Sequence, residues 1–483
     1  MSIDVNNALT QHIFNNMPIH LIYIREFRLM DRASVKDHLQ VLFSEETIQQ
    51  RCKDQPDDSR ETVITSLLNE HARYAILSHR WLNKEPTYQE MLMSHKPPDA
   101  GFLKLKQFCE AASKYGIEFA WSDTCCIDKA SSSELDESIR SMYRWYQNAA
   151  ICLTFLADTT AIDNLQQDEW FTRGWTLQEL LAPKKVKFFG KGWVPLTNLE
   201  VDLDKDMVYE RRSRGESVEN PVTAQMLDRL ASATGIDSFD LVSFYPGSSD
   251  VPKRMVWAAK RRVTRGEDRA YSLMGMFGVS LSIAYGEGAD QAFFRLMDAI
   301  IQISEDPAVL DWAGMPAFTG HPSQMLPSLP DCYLGYTDSM SGYSVSFGKE
   351  PFALTNRGLR IAMLILPITV ANVTPYNTVV PQATFHCRSS KWIEDTVVHA
   401  EGPFTVSARN TYAIGIWGSG FIDGGSHRCF GCLLTRHGRL PGIYQSDGWS
   451  KMVSRSFIVL TPSGELINPD LTSLHPHLET IYV

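Results

Sequence analysis

The sequence lacks the devices that would place it at once in several large classes. Its nine cysteines among 483 residues are odd in number and irregular in spacing, which excludes a disulfide scaffold and fits reduced thiols inside a cell. Cys125 and Cys126 are adjacent and offer no easy bridge. Positive charge is scarce too: 46 Lys and Arg against 56 Asp and Glu leave a formal charge of -10, so no nucleic-acid partner is expected. The local cluster Lys260-Arg261-Arg262 with Arg265 remains a docking spot. No uninterrupted apolar segment opens the chain, and the longest mostly apolar run, Ile361 to Val373, contains Pro367 and is too short to cross a bilayer. Neither secretion nor a membrane span is expected; a cytoplasmic location is. Gly-x-Ser-x-Gly and His-Glu-x-x-His patterns do not occur, and Gly418-Ser-Gly420 and Gly424-Gly425 lack the Lys-Ser/Thr ending of a phosphate loop. His427-Arg-Cys-Phe-Gly-Cys432 with His437 contains zinc-ligand types, but one tight cluster around Gly431 reads as a hairpin, and no metal is expected.

What is present is an ordinary globular composition, 44% hydrophobic and 21% charged, long enough for about three domains. From Pro18 to Trp193 strand-like and helix-like segments alternate, the signature of an α/β layer around a mainly parallel sheet. Ile19–Ile24, Tyr74–Ser78, Phe119–Asp123, Ile151–Leu156 and Lys185–Phe189 read as strands. Leu105, Phe108, Cys109 and Ala112 recur with helical period, so Leu103 to Tyr115 reads as a helix ended by Gly116. Ser131 with Glu134 resembles a capping box before the stripe Ile139, Met142, Tyr143 and Tyr146. Asp202 to Gly215 reads as a polar linker, residues from Val222 to Trp312 as helical, and the remainder as an antiparallel sandwich. Tyr285-Gly-Glu-Gly288 reads as a turn between helices. The expected domains are residues 18–196, a helical middle region 197–316, and a β-rich domain 330–483.

In open α/β sheets the ligand crevice lies beyond the carboxyl ends of the strands. Ser78-His-Arg-Trp81 and Asp123-Thr-Cys-Cys-Ile-Asp128 follow two of these strands, and Trp175-Thr-Leu-Gln-Glu179-Leu-Leu follows a third. On a helix, Leu177, Leu180 and Leu181 face one side, while Trp175, Gln178 and Glu179 face the other. A carboxylate beside a ring suits a substrate with a flat leaving group and developing positive charge, such as the N-glycosidic bond of a nicotinamide nucleotide. The same pattern also describes a surface glutamate beside a half-buried tryptophan. Arg80 suits either a phosphate or an ion pair with Asp123 or Asp128; Ser78 suits a phosphate or ribose oxygen, and the two aspartates suit a hydroxyl. His79 reads as a packed or capping residue.

Tyr74-Ala-Ile-Leu-Ser-His-Arg-Trp81, Trp121-Ser-Asp-Thr-Cys-Cys-Ile-Asp128 and Trp170-Phe-Thr-Arg-Gly-Trp-Thr-Leu-Gln-Glu-Leu180 resemble, in order and spacing, the three motifs of the fungal heterokaryon-incompatibility (HET) domain. Trp257 to Tyr271 with Tyr285-Gly-Glu-Gly288, and Asn356-Arg-Gly-Leu359, look like the helical and β regions that follow it in basidiomycete members. HET domains are distantly similar to Toll/interleukin-1 receptor (TIR) domains, some of which hydrolyse NAD+. The resemblance implies a TIR-like sheet, a role in non-self recognition and regulated cell death, and Glu179 as the catalytic carboxylate. It further implies Ser78, Arg80, Trp81, Asp123, Cys126, Asp128 and Trp175 as substrate-binding residues, and NAD+ or a related nucleotide as substrate rather than cofactor. Self-association or an allorecognition partner is the expected trigger. The rival expectation is a non-catalytic adaptor that binds partners through the same domain.

Overall fold

Tyr74–His79 is buried along its whole length and forms the central strand of a seven-stranded sheet in the computed structural model. A strand covered on both faces must be nearly continuous in apolar residues, which is how this segment reads. The strands are β1 (His20–Tyr23), β2 (Arg28–Asp31), β3 (Tyr74–His79), β4 (Phe119–Trp121), β5 (Ile151–Phe155), β6 (Lys185–Phe189) and β7 (Leu203–Asp204), in the order β2-β1-β4-β3-β5-β6-β7. The four central strands are parallel, and the β1/β2 hairpin and β7 close the two edges antiparallel. From β3 the chain passes to β4 on one side and then crosses to β5 on the other. The winding thus reverses at β3, and a crevice is expected at its carboxyl end.

The structure describes residues 5–93, 99–217, 220–317 and 323–336, and beyond these 345–346, 351–373, 382–387, 393, 396–401, 406–407, 409–422, 426–436, 449–452, 454, 457–460 and 478–483. They form two compact units, residues 1–245 and 246–483. This boundary divides the expected middle region: the helices Lys205–Ser213, Pro221–Thr234 and Ser238–Ser243 belong to the first unit.

In the first unit the helix Ala100–Ser113 connects β3 to β4, and Ser132–Asn148 connects β4 to β5 with Ile139, Met142, Tyr143 and Tyr146 buried as their spacing implies. Only half of the capping box forms. Ser131 accepts from the Glu134 amide, while the Glu134 carboxylate accepts instead from the Asp128 amide at 2.9 Å and meets His20 Nδ1 at 3.0 Å. The segment from Asp202 corrects the linker expectation. Asp202 is fully buried, paired with Lys187 Nζ at 3.0 Å and accepting from the Phe188 amide at 2.7 Å, so its charge fastens β7 and the helix after it to the sheet.

The second unit contains the helix Ala289–Ile303, whose buried face is Ala292, Phe293, Leu296, Met297, Ile300 and Ile301. Tyr285 to Gly288 is a turn, as expected: the amides of Gly286 and Gly288 both donate to Glu267 Oε1, with φ of +102° and +87° that suit glycine. Instead of a sandwich of separate sheets, ten strands join one antiparallel sheet among the described residues. Its axis is the strand Gly358–Val373, which pairs with Thr411–Ile422 on one edge and with Leu478–Tyr482 and then Gln382–Cys387 on the other. Pro367 falls between those last two pairings, where a missing amide donor breaks no ladder bond. Cys429 and Cys432 are buried in the strand Ser426–Arg436; His437 and Gly424-Gly425 lie outside the described residues. Among the described residues no helix is long and apolar enough to cross a membrane.

Candidate functional site

At the carboxyl end of β3 the Ser78 hydroxyl donates to Glu179 Oε2 at 2.5 Å and accepts from Trp170 Nε1 at 2.9 Å. All three residues are buried, Ser78 and Trp170 completely and Glu179 at 6% exposure. Tyr146 flanks them, its hydroxyl donating to the Leu77 carbonyl at 2.9 Å. Burial pushes the Glu179 carboxyl up to about 8, and the charge of Asp123 adds to this; the Ser78 bond, Arg173 and Tyr146 pull the other way. A carboxyl of this kind is neutral for much of the time near pH 7 and becomes a strong local charge when it ionises. Glu179 lies on the six-residue helix Thr176–Leu181, every residue of which is buried. This helix does not open to a cleft at Glu179: the carboxyl is held by Ser78, which is itself held by the buried Trp170.

A second chain of polar groups ends beside it. In the β3/β4 register Ile76 lies opposite Trp121, so Asp123 follows at the level of Ser78. Asp123 Oδ1 meets His79 Nε2 at 3.1 Å, and Oδ2 accepts from Trp81 Nε1 at 2.8 Å. Behind His79, Lys104 Nζ lies 2.7 Å from Nδ1 and also bonds Glu85. Burial and the Lys104 ammonium lower the basicity of His79. Burial opposes ionisation of Asp123 but is outweighed by its bonds to His79 and Trp81 and by the Lys129 charge, and the carboxyl stays below the usual range. Its side chain is 19% exposed and Trp81 is 44% exposed, with Lys129 Nζ 4.1 Å from the centre of the Trp81 ring.

The remaining expected residues divide. Arg80 is in an ion pair, but with Asp158 at 2.9 Å and Glu169 at 2.5 Å rather than with Asp123 or Asp128. Only its buried Nε is left without a partner. Asp128 closes its own turn by accepting from the Ala130 amide at 3.0 Å. Cys126 is buried, its amide bonded to the Ser122 carbonyl, and burial holds its thiol protonated. Trp175 is half-buried at the start of the Glu179 helix. Sequence reasoning missed Trp170, Tyr146, Glu85, Lys104 and Lys205 as contributors. Lys205 Nζ donates to the carbonyls of Leu180 at 2.5 Å and Leu181 at 2.8 Å, closing the carboxyl end of the Glu179 helix. Trp170 alone had a local signal, since it lies inside the third motif.

Residues 74–161 match the family model described as heterokaryon incompatibility protein (HET). That span includes β3, β4 and β5 with Ser78, Arg80, Trp81, Asp123, Cys126 and Asp128, and it stops before Trp175 and Glu179. Over 240 residues the chain is 37% identical to the vegetative incompatibility protein HET-E-1 of Podospora anserina, an alignment that covers 47% of this chain and 16% of that protein. No solved structure shows significant similarity. The matched span holds the first two of the three motifs on the central parallel strands, and together with the 37% identity to HET-E-1 it identifies a heterokaryon-incompatibility domain in this chain.

Proposed function

We infer that this protein acts in fungal non-self recognition, and that its HET domain cleaves NAD+ at the nicotinamide–ribose bond once activated. The observation that carries the reading is the buried Glu179 carboxyl held by Ser78 at the strand-order switch, beside the ionised Asp123. In such a cleavage the nicotinamide leaves as a neutral base and the ribose acquires oxocarbenium character. An ionised Glu179 in a water-poor site stabilises that charge far more than it would in water. Asp123 accepts from ribose hydroxyls, and Trp81 or Trp175 offers a ring against the base. With both Arg80 terminal nitrogens occupied, Lys129, whose ammonium lies 4.1 Å from the Trp81 ring centre, is better placed for phosphate than Arg80 is. The low exposure of Glu179 and its bond to the buried Ser78 support a closed resting site that activation opens. The test is to incubate purified protein with NAD+ and follow nicotinamide release by chromatography, at rest and at high protein concentration. Release supports the enzyme; NAD+ binding without release at any concentration supports the adaptor.

A further inference from the structure

Lys104 lies on the helix Ala100–Ser113, is 4% exposed, and has two polar partners, Glu85 and His79. An ammonium has only hydrogens to offer, so at 2.7 Å His79 Nδ1 must be the acceptor, and the single proton of a neutral imidazole must reside on Nε2. That nitrogen faces Asp123 Oδ1. Glu85 is itself fixed, its Oε1 accepting from the Leu82 amide at 2.6 Å as well as from Lys104. We propose that Lys104, paired with Glu85, is a positioning residue that locks His79 as the Nε2–H tautomer and through it orients the Asp123 carboxylate. Asp123 then holds one fixed donor on each oxygen, from His79 and from Trp81, and with its side chain 19% exposed it keeps lone pairs as acceptors for a ligand diol such as ribose. His79 cannot serve as a base here, because its lone pair is engaged. The value of this arrangement to turnover rests on the NAD+-cleaving reading above, whereas the tautomer does not.

The test uses the full chain with 15N-labelled histidine, in proton–nitrogen correlation spectra at pH 7.5, the His79 signals being identified by their loss in His79→Gln. The wild type is expected to show Nε2 protonated and Nδ1 unprotonated. Lys104→Met removes the donor and leaves Glu85 Oε1, 3.9 Å from Nδ1, as the nearest carboxylate, so both nitrogens are expected to be protonated. Lys104→Arg restores a donor and the wild-type pattern. A wild-type Nδ1–H tautomer or imidazolium overturns the proposal, and this reading needs no variant to fold. An unchanged tautomer in Lys104→Met overturns the role of Lys104. None of these outcomes depends on nicotinamide release, so a failure here is separate from a failure of the proposed reaction.

Discussion

Glu179 is a carboxyl placed where ionisation is costly, and its behaviour with pH follows from that. With burial and the Asp123 charge raising it to about 8, the anion needed to stabilise an oxocarbenium ion is scarce at neutral pH. Cleavage by the proposed route is expected to rise with pH through about 8, as an initial-rate profile from pH 6 to 9 would show. Ser78→Ala deletes the hydroxyl that favours the anion, so the rise should move to higher pH. The same change strands the buried Trp170 indole donor at a cost of about 1–3 kcal/mol, readable as a lowered melting temperature. Linkage gives a further expectation. Folding raises the Glu179 pKa from 4.5, so its contribution to stability is fully present below pH 4.5 and is lost as pH rises through about 8. A tenfold change in an acid's ionisation constant corresponds to about 1.4 kcal/mol, so wild type should lose up to a few kcal/mol between pH 5 and 9 that Glu179→Gln does not lose. Thermal unfolding of both proteins at the two pH values checks this; equal losses would mean that folding does not raise the carboxyl's pKa above its unfolded value.

At the level of elements, a helix of six residues has little stability of its own, and Thr176–Leu181 depends on what surrounds it. Lys205 closes its last turn, and Lys205→Met is expected to lose about 1–3 kcal/mol by leaving the Leu180 and Leu181 carbonyls buried without their donor. Turnover should fall further than stability alone explains, because the same helix bears Glu179; chemical denaturation paired with rate measurement separates the two. This contact also marks the limit of what was legible in the sequence. The parallel strands were readable because their apolar runs are local, and so was the buried stripe from Ile139 to Tyr146. The helical period likewise separated the leucines from Glu179. It did not show that Ser78 holds the carboxyl, since Ser78 is 101 residues from Glu179 in the chain. Asp202 looked like linker for the same reason: its charge becomes core only through Lys187. Sequence polarity marks a residue that needs a partner, and the fold decides whether that partner is water.

For the whole molecule, the two units have consequences for how activity is gated. The HET match lies wholly within residues 1–245, and this unit contains the complete seven-stranded sheet with its edge pair Lys187–Asp202. Expressed alone, residues 1–245 are expected to unfold in a single cooperative transition, checked by calorimetry. With Glu179 only 6% exposed, a protein that cleaves NAD+ has to open its site, and association is the expected means. Specific activity should therefore rise with protein concentration alongside a light-scattering shift to larger species. Constant specific activity from a monomer across a wide dilution series would show that one chain suffices.

The central claim is that the charge of Glu179 performs the cleavage, and the most direct measurement compares nicotinamide release by wild type and Glu179→Gln at the same concentration, near pH 8. Glutamine keeps the shape and the Ser78 contact while removing the charge. The expected result is release by the wild type and a loss of at least about a hundredfold in a variant of unchanged fold by circular dichroism. Equal release by the two proteins would contradict the account.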